Sequence, residues 1–284
     1  MLALTASQAW TLTVFGALLG AAIGSFCCVI IERMPVQLDE PNEWGDAFDT
    51  RPWREVVGGE SRCSSCGSDI RWIDKIPVLS WFLLRGKCRT CSERIPGFHP
   101  VVEFLVPVLA VGLVAVAGWD WRLLPALWLV PVGVVVSAID LRTYIVPTRI
   151  VWPAFFVAIV LSIAACAAGV EWSRLWYAAL GVVFIAGPLA VLWFILPNAM
   201  GFGDVRLATL LGWVVAFSST ANRIAHLGFL AAIFFVSASV IGITMGIGGL
   251  MAQGRKAKVP FGPALFVSAM LLVALSQQIL DPFL

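Results

Sequence analysis

The sequence predicts an all-α polytopic membrane protein with about eight transmembrane helices and one small polar domain between helices 1 and 2. Three observations predict this class. Of the 284 residues, 60% are hydrophobic and only 13% are charged, whereas soluble domains carry about 25% charged residues. The mean hydropathy is +0.92. From residue 101 onward the chain is a series of apolar runs, each of about the length that crosses a bilayer.

The first apolar run, residues 9–31, follows no lysine or arginine and precedes Arg33. A cleaved secretory signal has the opposite arrangement, a basic start before a short apolar core. We therefore expect a retained first helix with its N-terminus outside. The later predicted spans cover residues 101–118, 122–139, 150–169, 174–196, 205–217, 225–250 and 260–280. The sixth span, 205–217, is short, and we expect it to begin in a glycine loop or to be shielded by protein.

The basic residues indicate which ends of the spans face the cytoplasm. With the N-terminus outside, the inside segments hold sixteen of the nineteen lysines and arginines. The outside retains three, which are Arg122, Arg174 and Arg223. Cytoplasmic loops are enriched in Lys and Arg, so this distribution supports both the span count and the direction.

Residues 32–100 form the only substantial polar segment of the sequence. Its first part, residues 36–60, is acidic and rich in turn formers, and we expect a loop there. Its second part carries two CxxC pairs, which are Cys63 with Cys66 and Cys88 with Cys91. Each CxxC turn directs two thiolates at one point, so two turns form a tetrahedral four-sulfur site suited to zinc. A zinc ion bound by four cysteines has no coordination position left for a substrate, so we expect a structural ion. The alternative is that the four cysteines are unrelated free thiols.

Two aspartates lie at predicted ends of apolar runs on the same, cytoplasmic side. Asp140 ends the third span and Asp204 opens the sixth, next to the glycines of GFGD. Ionisable groups at this depth tend to face a water-filled cavity or each other. Two neighbouring carboxyl groups share a proton, so one activates a water while the other polarises an amide carbonyl. The sequence thus permits aspartic-protease chemistry at Asp140 and Asp204.

Other interpretations of the same residues stay open at this point. Asp140 and Asp204 could form the relay of a proton-coupled transporter. They could instead be interfacial acids paired with nearby arginines, or Asp204 could cap the sixth helix. In that case the protein would be a zinc-bearing scaffold without chemistry.

The remaining chemically notable residues carry weaker predictions. Three cysteines in apolar runs are expected to be small buried hydrophobic residues: Cys27, Cys28 and Cys166. Glu103 is expected to be an acid at the N-terminus of the second span, stabilised by the helix dipole. The two histidines, His99 and His226, have no evident catalytic partner in the sequence.

Five elements, in order, resemble the type IV prepilin peptidases, which are bacterial membrane aspartic proteases with a GxGD signature. The first is GSFCCVIIERMP, and the second is the cysteine segment from residue 62 to 95. The third and fourth are AIDLRTYIVP, which holds Asp140, and GFGDVRLATLLG, which holds Asp204. The fifth is VPFGPAL near the C-terminus.

The resemblance implies an endopeptidase that cuts the leader of a prepilin or pseudopilin on the cytoplasmic side. The cut would follow a glycine and precede the substrate's hydrophobic stretch. The cysteine domain further implies N-methylation of the new N-terminus with S-adenosylmethionine as methyl donor. The expected partners are the substrate protein and membrane lipid, with no nucleic acid, and the expected location is the bacterial inner membrane.

This sequence departs from the family pattern at two positions. Cys28 stands where the family usually has Asn, and Thr148 stands where it usually has Asp. The expected domains are a first helix over residues 1–31, the zinc domain over 32–100 and a peptidase domain of about seven helices over 101–284. The expected site residues are Asp140 and Asp204 for catalysis and the four CxxC cysteines for zinc.

Overall fold

The computed structural model of the chain describes residues 6–34, 52–197, 200–253 and 259–280. Within these residues the regular structure is helical, and the only bridges are two isolated pairs in the cysteine segment. The α-helices are α1 (Ala6–Arg33), α2 (Trp53–Val57), α3 (Leu79–Leu83), α4 (Phe98–Ala117), α5 (Leu124–Thr143), α6 (Thr148–Ala167), α7 (Ser173–Ile195), α8 (Phe202–Ser218), α9 (Ile224–Gln253) and α10 (Gly262–Leu280).

Seven of the described helices are long and apolar enough to cross a membrane. Their candidate spans are Thr13–Arg33, Phe98–Ala117, Trp121–Thr143, Thr148–Ala167, Ser173–Ile195, Ile224–Gly248 and Gly262–Leu280. The predicted class, a polytopic helical membrane protein, is therefore confirmed. The one predicted span that is not among these seven, the sixth, corresponds to α8, whose 17 residues reach only about 26 Å at 1.5 Å per residue.

The described chain divides into two compact units. One contains α1 with residues 52–112, and the other contains the residues from Leu113 onward. In the second unit α8 is the central helix, because it contacts α5, α6, α7 and α10. Its side chains are buried along almost its whole length, and Leu207, Leu210 and Leu211 have no exposed surface. The short sixth span is thus shielded by protein, as its length predicted.

The expectation of a loop over residues 36–60 is wrong in part. Residues 36–51 of the expected loop lie outside the described part of the chain, but Trp53–Val57 form helix α2. That helix buries Val56 and contacts α1, which gives a short segment enough support to become helical. Arg33 also donates a hydrogen bond to the carbonyl of Gly58 at its C-terminal end.

Glu103 does not lie at a helix N-terminus. Helix α4 begins at Phe98 and takes Pro100 into its first turn, where proline is tolerated because its missing N–H has no partner there. Glu103 therefore lies inside the helix and is only 8% exposed. Its Oε2 accepts a hydrogen bond of 2.6 Å from the backbone N–H of Val78.

Candidate active site and metal centre

Asp140 lies in the last turn of α5 and is buried, at 3% exposed. Its Oδ2 accepts a hydrogen bond of 2.8 Å from the backbone N–H of Gly262, the first residue of α10. A Cβ at Gly262 would stand only 2.8 Å from that same oxygen, so glycine is the residue that allows the approach. The helix ends just afterwards, where Tyr144 adopts the left-handed conformation with a φ of 57°.

Asp204 lies in the first turn of α8 and is partly exposed. The N-cap of this helix is Gly201, in an extended conformation and without a side-chain cap, so Asp204 does not cap the helix through its carboxyl group. A Cβ at the neighbouring Gly203 would stand 2.9 Å from the Cβ of Val146. The absent side chain lets the start of α8 pack against the turn that follows α5.

The fold brings the two acids to the same end of the second unit. Val146 follows α5 by three residues and touches Gly203, which directly precedes Asp204. The carboxyl groups of Asp140 and Asp204 are close enough for a direct Coulombic interaction. Asp140 is enclosed and hydrogen-bonded to Gly262, whereas Asp204 keeps access to solvent. In such a pair the ionisation of one carboxyl group disfavours the ionisation of the other.

Residues of α6, α7 and α8 contact one another at this end of the unit. Arg206 of α8 donates a hydrogen bond to the hydroxyl group of Thr148, the first residue of α6. Its guanidinium carbon lies 4.6 Å from the centroid of the Phe202 ring, and that ring is 4.6 Å from the ring of Trp193. Thr148, at the position where the resembling family usually has Asp, thus keeps a contact to Arg206 as a neutral partner.

Sequence reasoning missed the role of Gly262. A backbone N–H donor carries no chemical signature of its own, and a hydrogen bond across 122 positions has no local pattern. The one available signal was the VPFGPAL element, which the resemblance singled out without a role.

The four cysteines of the two CxxC pairs converge at one point of the first unit. Their sulfur atoms all lie within 4.8 Å of one another, and those of Cys63 and Cys91 are 3.7 Å apart. A tetrahedral zinc with Zn–S bonds of about 2.3 Å requires sulfurs about 3.8 Å apart. All four are free thiols, so the donor set and spacing fit a four-sulfur zinc.

The two CxxC turns have the same local structure. The first is closed by a bridge between Arg62 and Asp69, and the second by a bridge between Lys87 and Arg94. In each turn the residue after the second cysteine has a positive φ, 69° at Gly67 and 59° at Ser92. This repeated geometry is what directs both thiols of each pair inward.

The electrostatics of the cluster favour a bound cation. Backbone hydrogen bonds from Cys91 and Thr90 lower the pKa of Cys88 to about 6. Although a backbone hydrogen bond from Glu93 favours its thiolate, desolvation and the neighbouring thiols raise the pKa of Cys91 to about 12. The four thiols therefore cannot all ionise together unless a metal ion balances their charge.

Comparisons with known proteins match both segments of the chain that hold these residues. Residues 18–117, which include the cysteine cluster, match the family model described as the bacterial peptidase A24 N-terminal domain. Residues 127–247, which include both aspartates, match the model of the type IV leader peptidase family. A relative from Neisseria gonorrhoeae is 30% identical over 274 residues, which cover 90% of this chain and 88% of the relative. The chain belongs to the type IV leader peptidase family.

Other members of the type IV leader peptidase family are similarly distant. A relative from Aeromonas hydrophila is 29% identical over 87% of this chain and 84% of its own length. One from Myxococcus xanthus (strain DK1622) is 32% identical over 85% of this chain, but the match spans only 64% of that longer relative. All three are named prepilin leader peptidase/N-methyltransferase. No solved structure shows a significant match.

Family membership and the seven candidate spans make the chain a multi-pass inner-membrane protein. The matches are to peptidases, and nothing in them supports the alternative of a proton-coupled transporter.

Proposed function

We propose that this chain is a membrane aspartic endopeptidase that removes the leader of prepilins or pseudopilins, with Asp140 and Asp204 as its catalytic pair. One observation carries the proposal: α5 and α8 place two acids from distant parts of the chain within Coulombic reach at one end of the second unit. Relatives named prepilin leader peptidase supply the substrate class.

The surroundings of the two acids give each a role. An N–H donor stabilises a carboxylate more than a carboxylic acid, so the bond from Gly262 makes Asp140 the ionised member. Asp204 then carries the shared proton. Asp140 takes a proton from the attacking water, and Asp204 gives its proton to the carbonyl oxygen of the scissile bond. Asp140 then passes the proton it took from the water to the amide nitrogen, and Asp204 regains its proton from a hydroxyl group of the tetrahedral intermediate, which breaks into acid and amine.

The membrane supplies part of the positioning in this proposal. The substrate's hydrophobic helix partitions into the bilayer beside the enzyme, so the preceding scissile bond stands at the height of Asp140 and Asp204. Because both molecules are confined to one bilayer, less translational and rotational entropy is lost when they meet. The distribution of Lys and Arg supports a cytoplasmic position for this level and for the zinc segment.

A second step follows the cut. Relatives that match 85–90% of this chain are named N-methyltransferases as well as peptidases, and we propose that this chain methylates the new N-terminal amine. S-adenosylmethionine supplies an activated methyl group for such a transfer. The four cysteines, which we propose to hold zinc, give the segment over residues 62–95 a fixed shape that a small core alone would not give.

One experiment tests the proposed function directly. The purified full-length protein is incubated in detergent with a precursor pilin, with and without S-adenosylmethionine, and the products are weighed by mass spectrometry. We expect free leader peptide in both reactions, and mature pilin heavier by one methyl group only when the methyl donor is present. An uncut precursor contradicts the peptidase proposal, and a cut but unmethylated product contradicts only the second step.

A further inference from the structure

Helices α1 and α4 pack closely in the first unit. A Cβ at Gly20 would stand 2.8 Å from the Cα of Pro107, and a Cβ at Gly24 would stand 2.8 Å from the Cα of Glu103. The pairs run in opposite directions along the two helices, so the next turn of α1 faces the first turn of α4.

The region where these two helices meet contains three potential metal ligands, one on α1 and two on α4. The Sγ of Cys28 is 3.7 Å from the carbonyl oxygen of His99, and His99 and Glu103 are four residues apart on one face of α4. One ligand atom from each of Cys28, His99 and Glu103 lies within 4.8 Å of the others. Cys28 and Glu103 are 2% and 8% exposed, so the cluster is largely removed from water.

Two of the three ligands already have the supporting hydrogen bonds of a metal site. The Nε2 atom of His99 lies 2.7 Å from the Oε1 of Glu32, one turn after Cys28 on α1. A carboxylate that accepts the proton of one ring nitrogen leaves a lone pair on the other, Nδ1, which is the usual support for a metal-binding histidine. The backbone N–H of Val78 holds one oxygen of Glu103, which leaves the other oxygen free to bind.

We infer that Cys28, His99 and Glu103 form a second metal site, which takes Zn²⁺ or a similar divalent transition metal. Thiolate, imidazole and carboxylate together suit zinc, whereas Mg²⁺ and Ca²⁺ prefer oxygen ligands alone. Three protein ligands leave one position of a tetrahedral ion for water or another ligand, in contrast to the closed four-cysteine site. The ion also offsets the cost of a carboxylate buried between two helices.

Binding requires two local changes. Cys28 gives up its thiol proton to solvent, so one proton is released for each zinc bound. The ligand atoms also draw together, because zinc bonds of about 2.0–2.3 Å put tetrahedral ligands less than about 4 Å apart. The bound ion then ties α1 to α4 and, through Glu103, to the segment around Val78.

Zinc stoichiometry tests the inference on the full-length protein. After loading with Zn²⁺ and removal of the excess, we expect two zinc ions per chain in the wild type. Cys28→Ser and His99→Gln should each leave one, while Cys27→Ser, a matched change of the adjacent buried cysteine, should leave two. Unfolding temperatures of all variants show whether a loss of zinc reflects a loss of fold. One zinc per loaded wild-type chain, or two in folded Cys28→Ser, would overturn the inference.

Cobalt absorption identifies the ligand independently. A variant with all four CxxC cysteines changed to serine is loaded with Co²⁺, which gives a charge-transfer band when a thiolate binds it. We expect a band from a single thiolate that disappears when Cys28→Ser is added and persists when Cys27→Ser is added. A band that is unchanged by Cys28→Ser, or the absence of any band, would overturn the site. If the four-serine variant does not fold, the zinc counts alone test the inference.

Discussion

Asp140 and Gly262 lie 122 positions apart, and the 2.8 Å hydrogen bond between them anchors the more buried of the two acids. The sequence could single out Asp140 and Asp204 as candidates, because few acids lie at the ends of apolar runs and a charge there is energetically costly. It could not predict the donor. Any residue but proline offers an N–H, and only the tertiary packing of α10 against α5 selects Gly262.

A methyl group at position 262 tests this contact. The Cβ in Gly262→Ala would stand 2.8 Å from Oδ2 of Asp140, so either the carboxylate or the start of α10 must shift. Because a small misplacement of a reacting group costs about 100-fold in rate, we expect cleavage of precursor pilin to fall by about that factor. Gly112→Ala, where a Cβ meets nothing within 4 Å, is the control. Equal cleavage by both variants would show that the contact is dispensable.

At the scale of elements, the apolar runs predicted that these segments are helices and roughly where they lie. They did not predict the residues at which the helices begin. Hydropathy placed the second span after Pro100, whereas α4 begins at Phe98 because proline fits the first turn of a helix. Likewise α8 begins at Phe202, inside the glycine loop. These shifts of a few residues move Glu103 from the first turn of its helix into the helix interior, and Asp204 from before its helix into the first turn.

The repeated CxxC turns predict opposite effects of two substitutions. Ser92 adopts a φ of 59°, which costs a residue with a side chain about 1–2 kcal/mol relative to glycine. Ser92→Gly should therefore tighten zinc retention against a chelator about five- to thirtyfold. Gly67→Ala should weaken it by a similar factor, because its added methyl meets no atom within 4 Å and acts only through the backbone. Changes of the same sign in both variants would contradict the equivalence of the turns.

An ion pair beside the second turn predicts a pH dependence. The hydrogen bond from Arg89 lowers the pKa of Asp74 below its usual 3.8, with a contact of 2.5 Å between Nη2 and Oδ1. A lowered carboxyl pKa stabilises the fold above the ordinary pKa, and the benefit disappears as the pH falls through the folded-state value. Asp74→Asn should therefore lose zinc to a chelator more readily than the wild type at neutral pH. The difference should begin to shrink near the ordinary pKa of 3.8 and disappear only as the pH falls through the lowered pKa of Asp74.

The control for this ion pair is Glu93→Gln, which removes the same charge from the same segment. It should follow the wild type at every pH. Zinc loss from Asp74→Asn that matches the wild type at pH 7 would show that the ion pair does not support the cysteine cluster.

At the scale of the whole molecule, composition and the positions of Lys and Arg predicted the class and a direction in the membrane. They could not predict that α8 is the central helix of the second unit. Its short length predicted that protein could shield it, but its apolar sequence resembles that of the neighbouring helices. What distinguishes α8 is burial on all sides by α5, α6, α7 and α10. A protein-shielded helix of 17 residues can therefore carry Asp204 at its start.

The proposed orientation predicts the behaviour of reporter fusions. A phosphatase that is active only outside the cytoplasm should be active when fused after Val170, between α6 and α7. The same reporter should be inactive when fused after Ile145, between α5 and α6. The opposite pattern would put the two aspartates on the outer face, away from a cytoplasmic leader peptide, and would contradict the proposed site of cleavage.

The most direct test of the account is the cleavage rate of Asp140→Asn and Asp204→Asn in the purified protein. Because each acid has its own part in proton transfer, each change alone should lower cleavage by at least about 100-fold. Zinc content and unfolding temperature should stay at wild-type values, and Glu55→Gln should cut normally. If either folded aspartate variant cuts precursor pilin at close to the wild-type rate, Asp140 and Asp204 are not the catalytic pair.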